Sequence, residues 1–430
     1  MTTAQQSSQT LEVVGGQSLK AALATAERRN KVRAFLLVLP LLVFITFTFL
    51  VPIVRMMYFS FDNPVIVGLF PETVAALQDW DPAGAPSPPE EVYAAFAKEI
   101  SKASKDRTIG KAATRLNYDK GGMRSLMTKT GRKISRTQAG PFMEGKWKET
   151  FLKISKKWDD RDVWVTIKGA GERYSLSFYL KALDLRRNAE GSIIQETENR
   201  QLYLLTGADS VWVRTFWISA AVTIFCILLG YPVAYLLANL PLRYSNLLMI
   251  LVLLPFWTSL LVRTTAWVVV LQTQGVLNDI MMLLGVIDER IQLIYNRFGV
   301  LVAMTHILLP FMILPIYSVM KNIKPSYERA ARSLGATPWT AFWRVYFPQS
   351  LAGIGAGGLL VFILALGYYI TPALVGGPTD QMVSYFIADH TNRSLNWGLA
   401  SALGGILLAG VLAVYILYDK LVGIDNMKLG

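Results

Sequence analysis

The chain has one cysteine and two histidines in 430 residues, and that scarcity removes several kinds of protein at once. Cys226 has no partner for a disulfide, and His306 and His390 are too few for a metal cluster. There is no P-loop, nucleophile elbow or Gly-rich phosphate cradle, so no catalytic residue and no metal ligand is assigned. Charge is scarce as well: only 17% of residues are charged, and Asp and Glu (30) are outnumbered by Lys and Arg (43), leaving a net charge of +13. Such a surplus suggests nucleic acid, but the basic residues are divided between the edges of apolar runs and one long insertion, with no nucleic-acid motif.

Hydrophobic residues are what the chain has in excess, at 53%. A membrane span needs about 20 mostly apolar residues, and six runs qualify: 34–54, 216–240, 245–271, 299–320, 351–375 and 397–418. The expected fold is therefore an all-α integral membrane protein with six transmembrane helices. The first run is longer than a signal-peptide core and lacks a small-residue cleavage site after it, so it reads as a retained anchor. The fifth is rich in glycine (Gly353, Gly355, Gly357, Gly358), as expected where helix backbones pack closely in lipid.

Six spans put both termini on one side, and that side collects Lys20, Arg28, Arg29, Lys31, Arg33, Arg243, Lys321, Lys324, Arg329, Arg332, Arg344, Lys420 and Lys428. The opposite short loops hold only Arg290, Arg297 and Arg393. By the positive-inside rule the termini are cytoplasmic. The organisation that follows is a cytoplasmic tail (1–33), a first transmembrane helix (34–55), a periplasmic insertion (56–215), a five-helix core (216–420) with a cytoplasmic loop at 321–350, and a second cytoplasmic tail (421–430).

The insertion is charged and has no run long enough to cross. It opens with a Pro-rich linker, PAGAPSPPEE (82–91), and continues into helix-like stretches such as EEVYAAFAKEISKASK. Further on, Phe142, Trp147, Phe151, Ile154 and Trp158 fall near helical spacing. A mainly helical soluble domain is expected, although DVWVTIKGAGERYSLSFYL could form a hairpin. Its role is either a docking surface for an external partner or a spacer packed on its own core.

The loop KPSYERAARSLGATPWTAFWRVYFPQS (324–350) is polar and helix-prone between two apolar runs. Ser326 can cap a helix over 327–334, and Gly335 can end it in the left-handed conformation. Thr337 can cap a second helix with Pro338 at its first position. In that helix Trp339, Phe342, Trp343 and Tyr346 form one aromatic face, and Pro348 is expected to stop it. Such a unit suits either docking into a partner's groove or an interfacial hairpin without a partner.

This stretch resembles the EAA loop of permeases from bacterial ATP-binding-cassette importers, whose pattern is E-A-A, three residues, G, nine residues, I-x-L-P. Ala330, Ala331 and Gly335 match it, and Val345, Phe347 and Pro348 stand in the I-x-L-P slots. The motif's Glu position holds Arg329, and Glu328 lies one residue earlier. The resemblance implies a type I importer permease fold and a coupling helix (Glu328, Arg329, Ala330, Ala331, Gly335, Pro348) that docks on cytoplasmic ATP-binding subunits. ATP and Mg would be bound by those subunits, so this chain would be no enzyme and carry no cofactor. The implied partners are these subunits, a second homologous permease subunit, a periplasmic solute-binding protein and membrane lipid.

A finer resemblance covers 216–418. LLPFWTSLLVRTTAWVVVLQTQGVLND (253–279) and TPALVGGPTDQMVSYFIADHTNRSLNWGLASALG (371–404) are similar to the first permease subunit of spermidine and putrescine importers. That branch also includes permeases for opines and related small organic solutes. The long insertion departs from the compact polyamine permeases and leaves the solute open among polyamines, opines and amino-acid-like compounds. The alternative class, a secondary transporter or channel, needs intramembrane polar sites and often inverted repeats, and neither an acidic relay nor a second half resembling the first is found.

Arg263 stands within the third run, where a charge costs a few kcal/mol on insertion scales. On an unbroken helix it would lie roughly 27 Å from the cytoplasmic face. It either pairs near the external gate, with Asp279, Asp288 and Asp380 as candidates, or lines the pathway. Arg263, Trp257, Asp279 and Asp380 are the expected pathway or gate residues.

Overall fold

The computed structural model describes residues 12–13, 17–137, 146–188, 192–196 and 210–422; Phe142 and Lys428 lie outside them. Among the described residues, six helices are long and apolar enough to cross a membrane: Ala24–Phe59, Val211–Asn239, Leu260–Leu283, Arg297–Lys321, Pro338–Leu366 and Trp397–Lys420. The protein is an all-α integral membrane protein, and strand is limited to two short antiparallel pairs among the described residues.

The chain divides into two units, Met1–Tyr58 and Phe59–Gly430. In the first, the helix Leu19–Ile45 continues through a π-helical turn, Thr46–Leu50, into Val51–Phe59. Pro52 cannot supply an N–H to the ladder and its ring crowds the carbonyl a turn earlier. The wider turn before it absorbs both effects, so the helix outruns the 34–54 segment expected from hydropathy.

In the second unit, the spans Val211–Asn239, Arg297–Lys321 and Pro338–Leu366 pack together as the membrane core. Cys226, Met304, Met312, Ile316 and Val361 are fully buried between them. Two of the four glycines of the fifth span make the contact close. A Cβ at Gly353 would come 2.9 Å from the Ile316 backbone, and one at Gly357 would come 2.9 Å from Met312 Sδ.

Two spans depart from the hydropathy reading. The run 245–271 is not one helix: Leu242–Leu253 ends in a 3-10 turn at Leu254–Trp257, and a new helix starts at Leu260. Pro255 interrupts the ladder, and the Ser259 hydroxyl accepts from Val262 N at 3.2 Å as the cap of the next helix. Arg263 therefore sits in the first turn of a second helix, and a depth counted along one unbroken axis does not apply. The fifth span begins at Pro338 rather than Leu351 and ends at Leu366, while Ile370–Val375 is a separate short helix.

The insertion is helical, from Pro64–Leu69 and Pro71–Gln78 through Glu90–Lys105, Ile109–Asp119 and Met123–Thr137 to Trp147–Ile154, Arg161–Ala170 and Ser177–Ala182. Glu90–Lys105 has its carboxylates in the first turn and lysines in the last, the arrangement that the helix dipole favours. Its apolar face buries Tyr93 and Phe96 among Phe151, Trp158 and Trp164, with ring centroids 4.7 to 5.7 Å apart. The polar edges are satisfied: Trp158 Nε1 donates to Thr130 Oγ1 at 2.9 Å, and both Tyr93 Oη (3.0 Å) and Trp164 Nε1 (2.8 Å) donate to the Trp158 carbonyl.

The stretch with hairpin potential forms two helices, Arg161–Ala170 and Ser177–Ala182. Asp160 caps the first by accepting from Asp162 N, and Val163, Trp164 and Ile167 follow helical spacing into the core. Between them Tyr174 makes a single antiparallel bridge to Asp62, and among the described residues the stretch is followed by the strand pair Leu185–Arg187 and Ile193–Gln195.

Candidate functional site

The candidate residues fall in three places: the loop between the fourth and fifth spans, a polar cluster around the third span, and a clasp at the opposite end of the core. In the loop, the helix Pro325–Ser333 has no buried residue. Its cap position is Lys324, and Pro325 takes the first helical position. Proline's fixed φ favours that place, which moves Ser326 inside the helix and overturns its expected capping role. Glu328 falls in the first turn. Gly335 ends the helix at φ +92°, and a Cβ added there would meet nothing within 4 Å. The left-handed residue is thus required by backbone conformation rather than by crowding. Leu334 beside it is 89% exposed.

Thr337 caps the next helix, accepting from Thr340 N at 3.2 Å, with Pro338 at its start. Pro348 does not stop this helix. A π-helical turn, Phe342–Tyr346, leads directly into Phe347–Leu366, and widening the turn ahead of Pro348 removes the clash that would otherwise break the helix. The amphipathic segment is therefore the root of the fifth span. Its aromatic face also divides. Phe342 and Tyr346 pack on Tyr235 of the second span, at 5.8 and 5.3 Å between ring centroids, whereas Trp339 and Trp343 remain exposed.

The polar cluster gathers around Arg263. Its Nε is buried without a hydrogen-bond partner, and its charge reaches His306 and Tyr368. One turn on, Trp267 Nε1 donates to His306 Nδ1 at 3.1 Å, and the Thr264 and Thr371 hydroxyls meet at 3.1 Å. Trp257 stands exposed at the helix break. Neither Asp279 nor Asp380 is Arg263's partner. Asp279 binds Arg290, eleven residues on, at 2.7 Å, and Asp380 binds Arg297, at the start of the fourth span, at 3.1 Å. Asp288 forms no ion pair with Arg263 among the described residues.

Asp380 belongs to the clasp. It is 4% exposed, its Oδ1 accepts from Arg297 Nε and its Oδ2 from Gly377 N at 3.3 Å. Arg214, at the start of the second span, donates from Nε to the Gln381 carbonyl at 2.9 Å and from Nη1 to the Thr379 carbonyl. Two arginines thus tie the loop 376–381 to two spans. Sequence reasoning uses Arg297 only to count loop charges and passes over Arg214; the position of Arg214 just before an apolar run is the signal that could have found it.

Residues 214–422 match the family described as binding-protein-dependent transport system inner membrane component. The spermidine/putrescine transport system permease protein PotB of Haemophilus influenzae is 36% identical over 217 residues, covering 50% of this chain and 76% of the relative. PotB of Escherichia coli K12 is 35% identical over 207 residues, 48% of this chain and 75% of the relative. The inner membrane ABC transporter permease protein YdcU of the same strain is 30% identical over 227 residues, 49% and 71%. A crystal structure of a bacterial alginate ABC transporter in complex with alginate pentasaccharide-bound periplasmic protein overlaps 55% of this chain and 85% of its own, with TM-score 0.42 and 18% identity. The chain belongs to the binding-protein-dependent transport system inner membrane component family and is a multi-pass inner-membrane permease subunit of an ATP-binding-cassette importer.

Proposed function

We propose that this permease carries a small organic solute, a polyamine or a related opine or amino-acid-like compound, from a periplasmic binding protein into the cytoplasm. The solute class is supported by the PotB relatives. The observation that carries the coupling role is the exposed helix Pro325–Ser333 set off by a left-handed Gly335. Small Ala330 and Ala331 leave that helix slim enough for a groove, and Glu328 and Arg329 flank the face it would insert. Two cytoplasmic ATP-binding subunits, which bind ATP and Mg, push and pull this helix; because the helix beyond the Gly335 turn starts at Pro338 and runs through Pro348 into the fifth span without a stop, the displacement is transmitted to the core. A second, homologous permease subunit completes the cavity.

The basic residues at the Asn239 and Lys321 ends support cytoplasmic termini and a periplasmic insertion. In this orientation the Arg297–Asp380 and Arg290–Asp279 pairs stand at the periplasmic end as gate clasps, and Arg263 with Trp257 faces the interior route. Co-expression with the cognate ATP-binding subunits, partner permease and binding protein tests the reading: solute should stimulate ATP hydrolysis and uptake only in the full assembly. Uptake by this chain alone would establish a secondary transporter or channel instead. A thermal-shift screen of the cognate binding protein with polyamines, opines and amino acids identifies the solute.

A further inference from the structure

Where the insertion meets the last span, a cleft of about 590 Å³ opens between Lys111, Arg115 and Arg124 on one wall and residues 393–398 on the other. Four cations line it, with Arg393 the fourth, against one carboxylate, Asp62, which Arg173 already holds at 3.3 Å. Lys111 and Arg124 are exposed and form no ion pair among the described residues, and Arg393 has only a long 3.7 Å contact with Asp389 while 83% of its side chain is exposed.

Of the four cations, Arg115 is the buried one. The Arg115 side chain is 6% exposed, lies 4.6 Å over the Phe178 ring and donates from Nε to Asn63 Oδ1 at 2.8 Å. Its carboxylate, Asp119, is shared with Lys181 at 3.7 Å, so two cations divide one acid. Arg115 Nη2 is buried without an acceptor. The height of the cleft is fixed by its other wall. Trp397 is the first residue of the last span, Phe178 of the insertion covers Gly398 one residue on, and Tyr118 Oη donates to the Ser394 carbonyl. The cations therefore stand at the edge of the apolar layer, where tryptophans and lipid headgroups meet, and exposed Leu395 and Trp397 add an apolar lip.

We propose that this cleft binds the phosphate headgroup of an anionic phospholipid from the leaflet on the insertion's side. Lys111, Arg124 and Arg393 hold the phosphate, and Leu395 and Trp397 pack against the glycerol and upper acyl chain. An acidic protein partner would match the charge but not the depth or the apolar lip. The site is independent of which solute is carried.

The test uses the full chain in zwitterionic detergent, titrated with spin-labelled phosphatidylglycerol and, as control, phosphatidylcholine. The wild type should bind the anionic lipid on the order of a hundredfold more tightly, since each of the three basic residues near an anionic headgroup contributes about fivefold. The triple variant Lys111→Gln, Arg124→Gln, Arg393→Gln leaves Arg115 and its packing in place; it should keep the wild-type melting profile and lose the preference. A preference that persists in this variant overturns the proposal. So does equal competition by soluble glycerol phosphate, which would make the cleft a free-phosphate site. A variant that keeps its lipid preference but no longer captures the binding protein would make the cleft a protein-docking surface.

Discussion

The ring of Phe178, in the insertion, lies over Gly398, in the first turn of the last span, so closely that a Cβ at position 398 would overlap it. Around this contact Ala182, Trp212, Val383, Leu399 and Leu403 form one buried cluster, so the insertion is packed onto its own core by an apolar seam. Gly398→Val should force the seam apart, because over-packing of a filled site costs about 1–3 kcal/mol. Limited proteolysis should then cut the insertion faster than in the wild type, and adding Phe178→Ala, which empties the space, should slow cleavage again. Unaltered proteolysis of Gly398→Val would mean that the seam does not hold the insertion.

The insertion's core predicts a pH limit. Burial pushes the Tyr93 hydroxyl up to about 12, and its hydrogen bonding to neighbouring groups only partly offsets this. The folded state thus binds its proton more tightly than the unfolded chain, whose tyrosine titrates near its ordinary value of about 10. Stability from this group is complete below pH 10 and is lost as pH rises from about 10 to 12. Thermal melts followed by tryptophan fluorescence should show that decline, and Tyr93→Phe should flatten it at the expense of the hydrogen bond to the Trp158 carbonyl. An unchanged slope in Tyr93→Phe would assign the alkaline loss to other groups.

The sequence made some of this legible and hid the rest for identifiable reasons. Glu90–Lys105 could be read residue by residue, since its acidic start, basic end and apolar spacing all agree. The left-handed Gly335 and the Thr337 cap were equally local. Hydropathy, by contrast, is blind to the break at Pro255 and Ser259, because the segment stays apolar across it. Pro348 misled in the opposite direction: proline's effect depends on the turn before it, and the π turn at Phe342–Tyr346 is fixed partly by packing on Tyr235. The clasp of Arg214 on residues 379 and 381, and the carboxylate of Glu99 accepting from Glu72 N and Thr73 N, join positions far apart in the chain. No local pattern announces them.

Arg263 can be removed without stranding a carboxylate, since Asp279 and Asp380 are engaged elsewhere. Arg263→Met keeps length and relieves the cost of a charge at membrane depth, a few kcal/mol on insertion scales, so the variant should insert and assemble at least as well as the wild type. Transport should fall, and the relative uptake of cationic and zwitterionic solutes should change, if the guanidinium lines the route as proposed. Uniform loss of uptake with poor assembly would instead give Arg263 a purely structural role beside His306 and Tyr368.

The coupling loop gives the most direct test of function. Gly335 is at φ +92° with open space around it, so a substitution there meets no steric wall and acts only through the backbone. A left-handed residue other than glycine costs roughly 1 kcal/mol, and a β-branched one more. The turn lies in an exposed segment, and that cost is small against the stability of the membrane core, so Gly335→Val should insert and assemble normally. What it should change is the angle between Pro325–Ser333 and the helix that starts at Pro338 and runs into the fifth span. Solute should then no longer stimulate ATP hydrolysis in the reconstituted complex, and uptake should drop at least tenfold. Ala331→Glu should act similarly, by placing a bulky charge on the face proposed to enter the groove, whereas Arg329→Glu, which restores the motif's usual residue, should be tolerated. Full solute-stimulated ATP hydrolysis and full uptake in Gly335→Val would remove the coupling role from residues 325–348 and leave them as an amphipathic root of the fifth span.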